Sequence, residues 1–330
     1  MRRRRTCFLL TLALCAAAAL FPTAALPAPP TLGQLRQVER NATAAIDRVA
    51  PAVVAIQTPE GWGSGVVVSA EGLVLTAGHV SGEPGRRCRV VFPSGRELRG
   101  RSLGRHLGND AGMIELAAEG AHAFPYATLG PTGAPPLGAW VVSLGHPGGF
   151  EDDRPVTARL GRIADRRPGT LQSDCTLVGG DSGGPLIDLQ GRVRGVHSRI
   201  GGRVGLNYHV PTAAFVRHWP DLQEGRQLRA GFLGVSRVDL SNEPVVADVQ
   251  PGGPADVAGV LPGDRVTAFG GAAIDSFTGL GDAVSNRAAG ETVTLTVRRG
   301  SRTLDLRVEL GVRPEADQPN PPKSQPEALP

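Results

Sequence analysis

Gly180-Asp181-Ser182-Gly183-Gly184-Pro185-Leu186 sets one serine between an acid and a glycine pair, just ahead of an apolar, strand-forming run. A serine hydroxyl is a poor nucleophile until a base takes its proton. Flanking glycines let the backbone turn tightly and aim two N–H groups at one point. That point is where an oxyanion forms when the serine attacks a carbonyl. The stretch therefore calls for a histidine and a carboxylate elsewhere in the chain.

Both lie upstream. Leu73-Val74-Leu75-Thr76-Ala77-Gly78-His79-Val80 is an apolar, β-branched run that delivers a histidine at a strand end. Gly108-Asn109-Asp110-Ala111-Gly112-Met113-Ile114 puts an aspartate just before another strand-like run. Asp153, Asp165 and Asp174 are other carboxylates, but only Asp110 stands in this acid-small-small-apolar pattern. The order His79, Asp110, Ser182, with gaps of 31 and 72 residues, is that of the chymotrypsin arrangement and not of the subtilisin or α/β-hydrolase orders.

Short strand-like runs recur at Val53–Gln57, Gly65–Ser69, Leu73–Thr76, Cys88–Phe92, Met113–Ala117, Ala139–Gly145, Pro185–Asp188, Arg192–His197 and Val204–Val210, with glycine-rich turns between them. No long helical period intervenes. This spacing predicts antiparallel β-barrels rather than βαβ units. Two six-strand sets fit residues 45–212, closed by a short helix over Thr212–Trp219. Residues 26–45 read as a Pro-rich start and a short polar helix.

The chain has 330 residues, 41% hydrophobic and 20% charged, enough for two domains; 45 glycines and 28 prolines favour a turn-rich, mostly β fold. Arg2–Arg5 followed by the uncharged run Phe8–Phe21 reads as a secretory signal cut near Ala25, with retention as an N-terminal anchor the other reading. Removing those four arginines leaves 31 basic against 31 acidic residues, so the basic pI implies no nucleic-acid partner. Cys88 and Cys175 are the cysteines left, and in two different barrels they are expected to be free buried thiols. The seven histidines are scattered without a metal-ligand spacing, so no metal and no cofactor is expected. His106 and His146 read as exposed loop histidines.

A second unit begins at Ala230-Gly231-Phe232-Leu233-Gly234-Val235. It continues through Leu261-Pro262-Gly263-Asp264-Arg265-Val266, a helix-like stretch near Phe277–Arg287 and strands over Thr292–Arg298 and Thr303–Leu310. The sequence thus divides into a signal or anchor (1–25), an N-terminal segment (26–44), a large β domain (45–219), a polar linker (220–228), a small α+β domain (229–311) and a disordered Pro-rich tail (312–330).

These motifs, with Gly63-Ser64-Gly65-Val66, Gly145-His146-Pro147-Gly148, Gln172-Ser173-Asp174 and Tyr208-His209-Val210-Pro211, resemble the HtrA/Deg trypsin-like serine proteases with a C-terminal PDZ domain, over residues 45–311. The resemblance implies a chymotrypsin-like double β-barrel followed by a PDZ domain. It implies catalysis by Ser182 as nucleophile, His79 as base and Asp110 as its orienting partner. An oxyanion hole would be built from Gly180, Asp181 and Ser182. A groove at Phe232, Leu233, Gly234 and Val235 would hold a C-terminal peptide, its carboxylate on the N–H groups of Phe232, Leu233 and Gly234. It further implies homotrimers, unfolded or misfolded protein substrates, and protein quality control in a periplasm or cell envelope. Two readings compete: a membrane-anchored regulatory protease with one client, and a non-proteolytic chaperone or scaffold with a PDZ module. The chain departs from the family at Asp181, where asparagine is usual, and in the acidic loop Gly148–Pro155. In trypsin-like zymogens this aspartate pairs with a newly cut N-terminal ammonium. No activation site of that type precedes the domain, so Asp181 is expected to find a local partner.

Overall fold

The computed structural model describes residues 30–117, 123–167, 169–201, 205–237 and 241–314. The signal segment and the tail beyond residue 314 lie outside them. The described residues divide between Gln37 and Val38 into two units. In the first, the Thr31 hydroxyl accepts the Gln34 N–H (3.3 Å) and Gln34 Oε1 accepts the Thr31 N–H (2.7 Å). This reciprocal cap starts helix α1 (Leu32–Val49), which is longer than the short helix expected. Its glutamines, arginines and alanines are good helix formers, and Leu35, Val38, Ala42, Ala45, Ile46 and Val49 recur at helical spacing along it, a period the reading of a short polar helix overlooked.

In the second unit, β1 (Val53–Thr58), β2 (Gly61–Val67), β3 (Leu73–Ala77), β4 (Arg87–Val91), β5 (Glu97–His106) and β6 (Ala111–Leu116) run in the order β5-β4-β1-β2-β3-β6, and β5–β6 pairing closes the barrel. A one-turn helix, α2 (Gly78–Ser81), follows β3. A second closed barrel holds β7 (Trp140–Gly145), β8 (Thr157–Arg167), β9 (Thr170–Ser173), β10 (Pro185–Asp188), β11 (Val193–Ile200) and β12 (Asn207–Pro211), ordered β10-β11-β12-β9-β8-β7. Continuous apolar runs such as Val53-Val54-Ala55-Ile56 are fully buried because they face both the barrel interior and packed neighbours. Strands β5 and β8 escaped the sequence reading. Their outward positions carry arginines, while the inward ones are largely Leu, Gly, Ser, Ala or Ile, so neither reads as apolar.

Helices α3 (Thr212–Arg217) and α4 (Trp219–Gln223) follow, and β13 (Gln227–Leu228) adds parallel to β5. Residues 220–228 are therefore structured and not the linker expected from their polarity. Leu222 is fully buried beneath them.

The PDZ-like part comprises β14 (Val235–Ser236), β15 (Asp248–Val249), α5 (Pro254–Val257), β16 (Arg265–Phe269), β17 (Ala272–Ala273), α6 (Phe277–Ser285), β18 (Thr292–Arg299) and β19 (Arg302–Glu309). One sheet runs β17-β16-β18-β19 and β14 pairs with β15. Leu233, Val246, Leu280, Leu295, Val297 and Val308 form its separate core. Asp264 is buried at the start of β16: its carboxylate takes Arg299 Nε (2.8 Å), Arg299 Nη2 (2.7 Å) and the Leu261 N–H (2.9 Å). Arg299 first, then the Leu261 N–H, holds the Asp264 carboxyl below the usual range against the opposing effect of burial.

Cys88 in β4 and Cys175 after β9 are both free, Cys88 only half-buried. Burial pushes the Cys88 thiol up to about 11, so it is a weak nucleophile at neutral pH. Among the described residues no helix is long and apolar enough to cross a membrane. Nor does any cluster of three or more His, Cys, Asp or Glu there suit a metal ion.

Candidate active site

The buried strand β3 ends at Ala77, and the chain turns at once into α2, which puts His79 at the rim between the barrels, half-exposed. Gly78 lets the turn pack closely, since a Cβ there would stand only 3.2 Å from Asp110 Oδ1 and Ala111 O. Asp110 enters from the turn between β5 and β6. It is the one non-glycine among the described residues with a left-handed backbone, φ 62°. Aspartate is among the residues that tolerate this conformation, which clusters at functional sites. Its carbonyl accepts the Gly78 N–H (2.7 Å) and its Oδ1 the His79 N–H (2.9 Å), while His79 Nδ1 lies 2.9 Å from Oδ2 and 3.1 Å from Oδ1.

Burial alone lowers the His79 pKa, but the hydrogen bond and charge of Asp110 outweigh it and hold the imidazolium above its ordinary value. Contact of Nδ1 with the carboxylate leaves Nε2 free for chemistry. The Ser198 hydroxyl, at the end of β11, donates to Asp110 Oδ2 at 2.6 Å. Sequence reading missed Ser198, since no local motif marks it.

Ser182 stands in the turn before β10. Its carbonyl accepts the Ser64 N–H (2.7 Å). A Cβ on Gly63 would collide with Val80, the neighbour of His79, and stand 3.2 Å from Ser182 O. The β2 strand thus brings the Ser182 backbone and the His79 turn to one place. Gly183 has φ 90°, and a side chain there would fall inside the contact distance of Ser64 O and Thr76 Oγ1. Ser182 Oγ and His79 Nε2 make no hydrogen bond to each other in this state.

The amides beside Ser182 are arranged for an anion. Gly179 O accepts the Gly148 N–H (2.8 Å) and Asp181 O accepts the Gly184 N–H (2.9 Å). In a trans peptide the N–H points opposite its carbonyl, so the Gly180 and Ser182 N–H groups point away from those anchors. Among the described residues neither has a protein acceptor. The Asp181 N–H differs: it donates to Val178 O (3.1 Å), which removes Asp181 from the expected trio of oxyanion donors. Ser64 clamps this turn, its hydroxyl donating to Gly180 O (2.7 Å) and accepting the His146 N–H (2.9 Å).

His106 and His146 are buried, not exposed as expected. His146 Nε2 lies 3.2 Å from Val53 O, and burial lowers its pKa despite that carbonyl. His106 receives the Gly108 N–H (3.0 Å) and sits 4.8 Å, centroid to centroid, from His218; burial first, then His218, brings its pKa to about 3. His197 and His209 are buried side by side, Nδ1 to Nδ1 2.9 Å, with His209 Nε2 2.7 Å from Ser173 Oγ. Burial pushes both pKa values down, His209 to about 3. Arg199 lies over the Tyr208 ring.

A second concavity of about 630 Å³ lies in the PDZ-like part, lined by Phe232, Leu233, Gly234, Val235 and the α6 residues Leu280 and Val284. Leu233 and Gly234 have N–H groups without a protein acceptor among the described residues. The Phe232 N–H donates to Gly311 O (2.9 Å), so it is not the third carboxylate donor expected. Leu107 and Gly108, three and two residues before Asp110, form part of the same wall. Gly108 packs so closely on Ala230 and Ser285 that no side chain fits.

A histidine–aspartate pair beside a serine turn with two free amides, carried on twin six-stranded barrels, defines a trypsin-like serine peptidase fold. Residues 63–196 match the trypsin-like peptidase domain family and residues 231–310 the PDZ domain family. The chain is 29% identical to "Putative protease Do-like 14" of Arabidopsis thaliana, over 70% of this chain and 63% of that one. It is 31% identical to "Probable periplasmic serine endoprotease DegP-like" of Hahella chejuensis, over 62% of this chain and 47% of that one. The chain thus spans about half to under two thirds of the length of these relatives. Among solved structures, "HtrA-type protease AlgW with tripeptide" superposes with a TM-score of 0.62 at 26% identity, covering 82% of this chain and 97% of that one. The chain carries a trypsin-like peptidase domain followed by one PDZ domain, and its relatives and structural neighbours include DegP-like and HtrA-type proteases.

Proposed function

We propose that the chain is an endopeptidase in which Ser182 Oγ attacks a peptide carbonyl, His79 takes the proton and returns it to the leaving amine, and Asp110 orients His79 and stabilises its cation. The developing oxyanion is received by the Gly180 and Ser182 N–H groups, each such donor worth roughly 10²–10³ in rate. The observation that carries this reading is the Asp110 carboxylate: it binds the His79 backbone, His79 Nδ1 and Ser198 Oγ at once, so the imidazole is held in a single orientation. Substrates are unfolded or exposed segments of proteins in the cell envelope, consistent with the periplasmic relatives. The test is cleavage of denatured casein, which wild type performs and Ser182→Ala does not; equal cleavage by both refutes the assignment.

The PDZ groove takes an apolar C-terminal peptide as an added strand beside Val235, with the carboxylate on the Leu233 and Gly234 N–H groups. Its wall contains Leu107 and Gly108 of the segment that carries Asp110. That favours regulation of proteolysis over simple tethering. A free C-terminal peptide should bind and its amidated form should not; equal binding of both removes the carboxylate site. Assembly as homotrimers belongs to the same proposal and is checked by light scattering.

A further inference from the structure

Asp181 presents an electrostatic problem next to the reacting atoms. Its carboxylate is 1% exposed, and one residue later comes Ser182. A buried carboxylate needs a cation or several donors. The cation is Arg159, whose Nη1 lies 2.9 Å from Asp181 Oδ2. The same Oδ2 accepts the Val178 N–H (2.9 Å), while Oδ1 has no partner at all. Oδ1 rests against Gly145, where a Cβ would stand 2.6 Å from it. Among the described residues no second cation bonds the carboxylate, so a single guanidinium holds the charge.

The turn that carries the two free amides depends on this carboxylate. Val178 and Asp181 close it reciprocally, backbone N–H of Asp181 to Val178 O and backbone N–H of Val178 to Asp181 Oδ2. If the carboxylate leaves its site, the Val178 N–H loses its acceptor and the peptides on either side of Gly180 are free to rotate. Arg159 itself is fixed by strand register, opposite Ser143 between β7 and β8. It follows the acidic loop Gly148–Pro155, whose first residue, Gly148, holds Gly179 O. The Gly148 amide and the Arg159 guanidinium, at opposite ends of this segment, therefore grip the same turn. Arg159 also acts on the buried His197, and the Asp181 charge on the buried His146, both imidazoles held below their ordinary pKa chiefly by burial.

We infer that Arg159 is a positioning residue for peptide hydrolysis: its guanidinium holds Asp181 in the interior of the second barrel and so keeps the Gly180 and Ser182 amides aimed at the oxyanion. The inference rests on the assignment of Ser182 as nucleophile. It gives the chain, from within its own second barrel, the counter-cation that a buried carboxylate at this place requires.

A double-mutant cycle over Arg159→Met and Asp181→Asn tests it, with kcat and KM on a peptide substrate, the rate of fluorophosphonate labelling and the thermal midpoint measured for each variant. Arg159→Met strands the carboxylate and should lower kcat and the labelling rate about 10²- to 10³-fold, the effect of losing oxyanion donors, with KM changed under about threefold. Arg159→Lys, which keeps a cation but not the planar fork, should recover at least tenfold of that loss. In the Asp181→Asn background, where no carboxylate is stranded, Arg159→Met should cost under about threefold. The inference is overturned if Arg159→Met keeps kcat within threefold of wild type. It is equally overturned if the loss persists undiminished beside Asp181→Asn, since Arg159 then acts through something other than Asp181. Should Arg159→Met not fold, the comparison of Asp181→Asn with the double variant decides alone, because neither carries a stranded carboxylate: a loss above about threefold between them overturns the inference. Failure of the underlying assignment looks different: wild type and Ser182→Ala would then label equally, whatever stands at 159.

Discussion

Replacing Asp110 by asparagine isolates what the carboxylate does for His79. The backbone tolerates the change, because asparagine, like aspartate, accepts the left-handed conformation at φ 62°. The side chain does not. Asp110 spreads four contacts over two acceptor oxygens: the His79 N–H and Nδ1 on Oδ1, and Nδ1 with Ser198 Oγ on Oδ2. An amide offers one acceptor oxygen and turns an NH₂ toward either His79 Nδ1 or Ser198. If the NH₂ faces Nδ1, the imidazole must adopt the tautomer with its proton on Nε2, which cannot take a proton from Ser182. In the general Ser-His-Asp scheme that exchange lowers kcat by about 10⁴, and a loss of roughly 10³–10⁴ in kcat with little change in KM is expected here. The hydrogen bond and charge that raise the His79 pKa disappear with the carboxylate, leaving the lowering effect of burial. The acid limb of kcat/KM should therefore move to lower pH. Stopped assays with a chromogenic peptide ester from pH 5 to 9 measure both quantities. Activity within tenfold of wild type, with an unmoved acid limb, refutes the role given to Asp110.

Further outcomes follow from the same geometry. In wild type the neutral His79 is the active base, and its raised pKa places the acid limb of kcat/KM above the ordinary histidine value of about 6.5; a limb at or below that value contradicts the Asp110 effect. Gly183→Ala pushes a methyl into Ser64 O and Thr76 Oγ1 at φ 90°. Overpacking of about 1–3 kcal/mol and left-handed strain of about 1–2 kcal/mol should abolish activity and lower the melting midpoint. Gly179→Ala, with nothing within 4 Å and an ordinary φ, should leave the midpoint within a degree or two, as usual for open surface sites. Asp264 has a depressed folded-state carboxyl pKa, so its stabilisation of the PDZ-like domain is present above the unfolded carboxylate range and is lost as pH falls through the folded value. Asp264→Asn should flatten that acid dependence, read by differential calorimetry between pH 2 and 7; an unchanged slope rejects the linkage.

The parts of the site that were legible in sequence are those in which chemistry forces a local pattern. The Ser182 heptapeptide needs glycine at a left-handed position beside a close backbone approach, and Asp110 needs small neighbours at the mouth of β6. What stayed hidden depends on residues brought together from far along the chain. Ser198 reaches Asp110 across 88 residues, and Arg159 reaches Asp181 from a strand whose arginines hide its barrel-facing pattern. Two donors were wrongly assigned, one for a distant acceptor and one for a local turn. The Asp181 and Phe232 N–H groups sit inside recognisable motifs, but their acceptors, Val178 O and Gly311 O, are fixed by the fold of the turn and by closure of the PDZ-like domain. The polar stretch 220–228 joins the first barrel because β5 offers it an open edge, a property of the partner strand and not of the stretch itself.

The central claim is that Ser182 is a nucleophile made competent by His79 in the folded protein. Intact-protein mass spectrometry after incubation with a fluorophosphonate tests it most directly. One adduct per chain is expected, mapped by peptide digestion to Ser182, absent from Ser182→Ala and slowed at least a hundredfold in His79→Ala. No adduct on the folded wild-type protein, or an adduct that forms equally fast without His79, would contradict it.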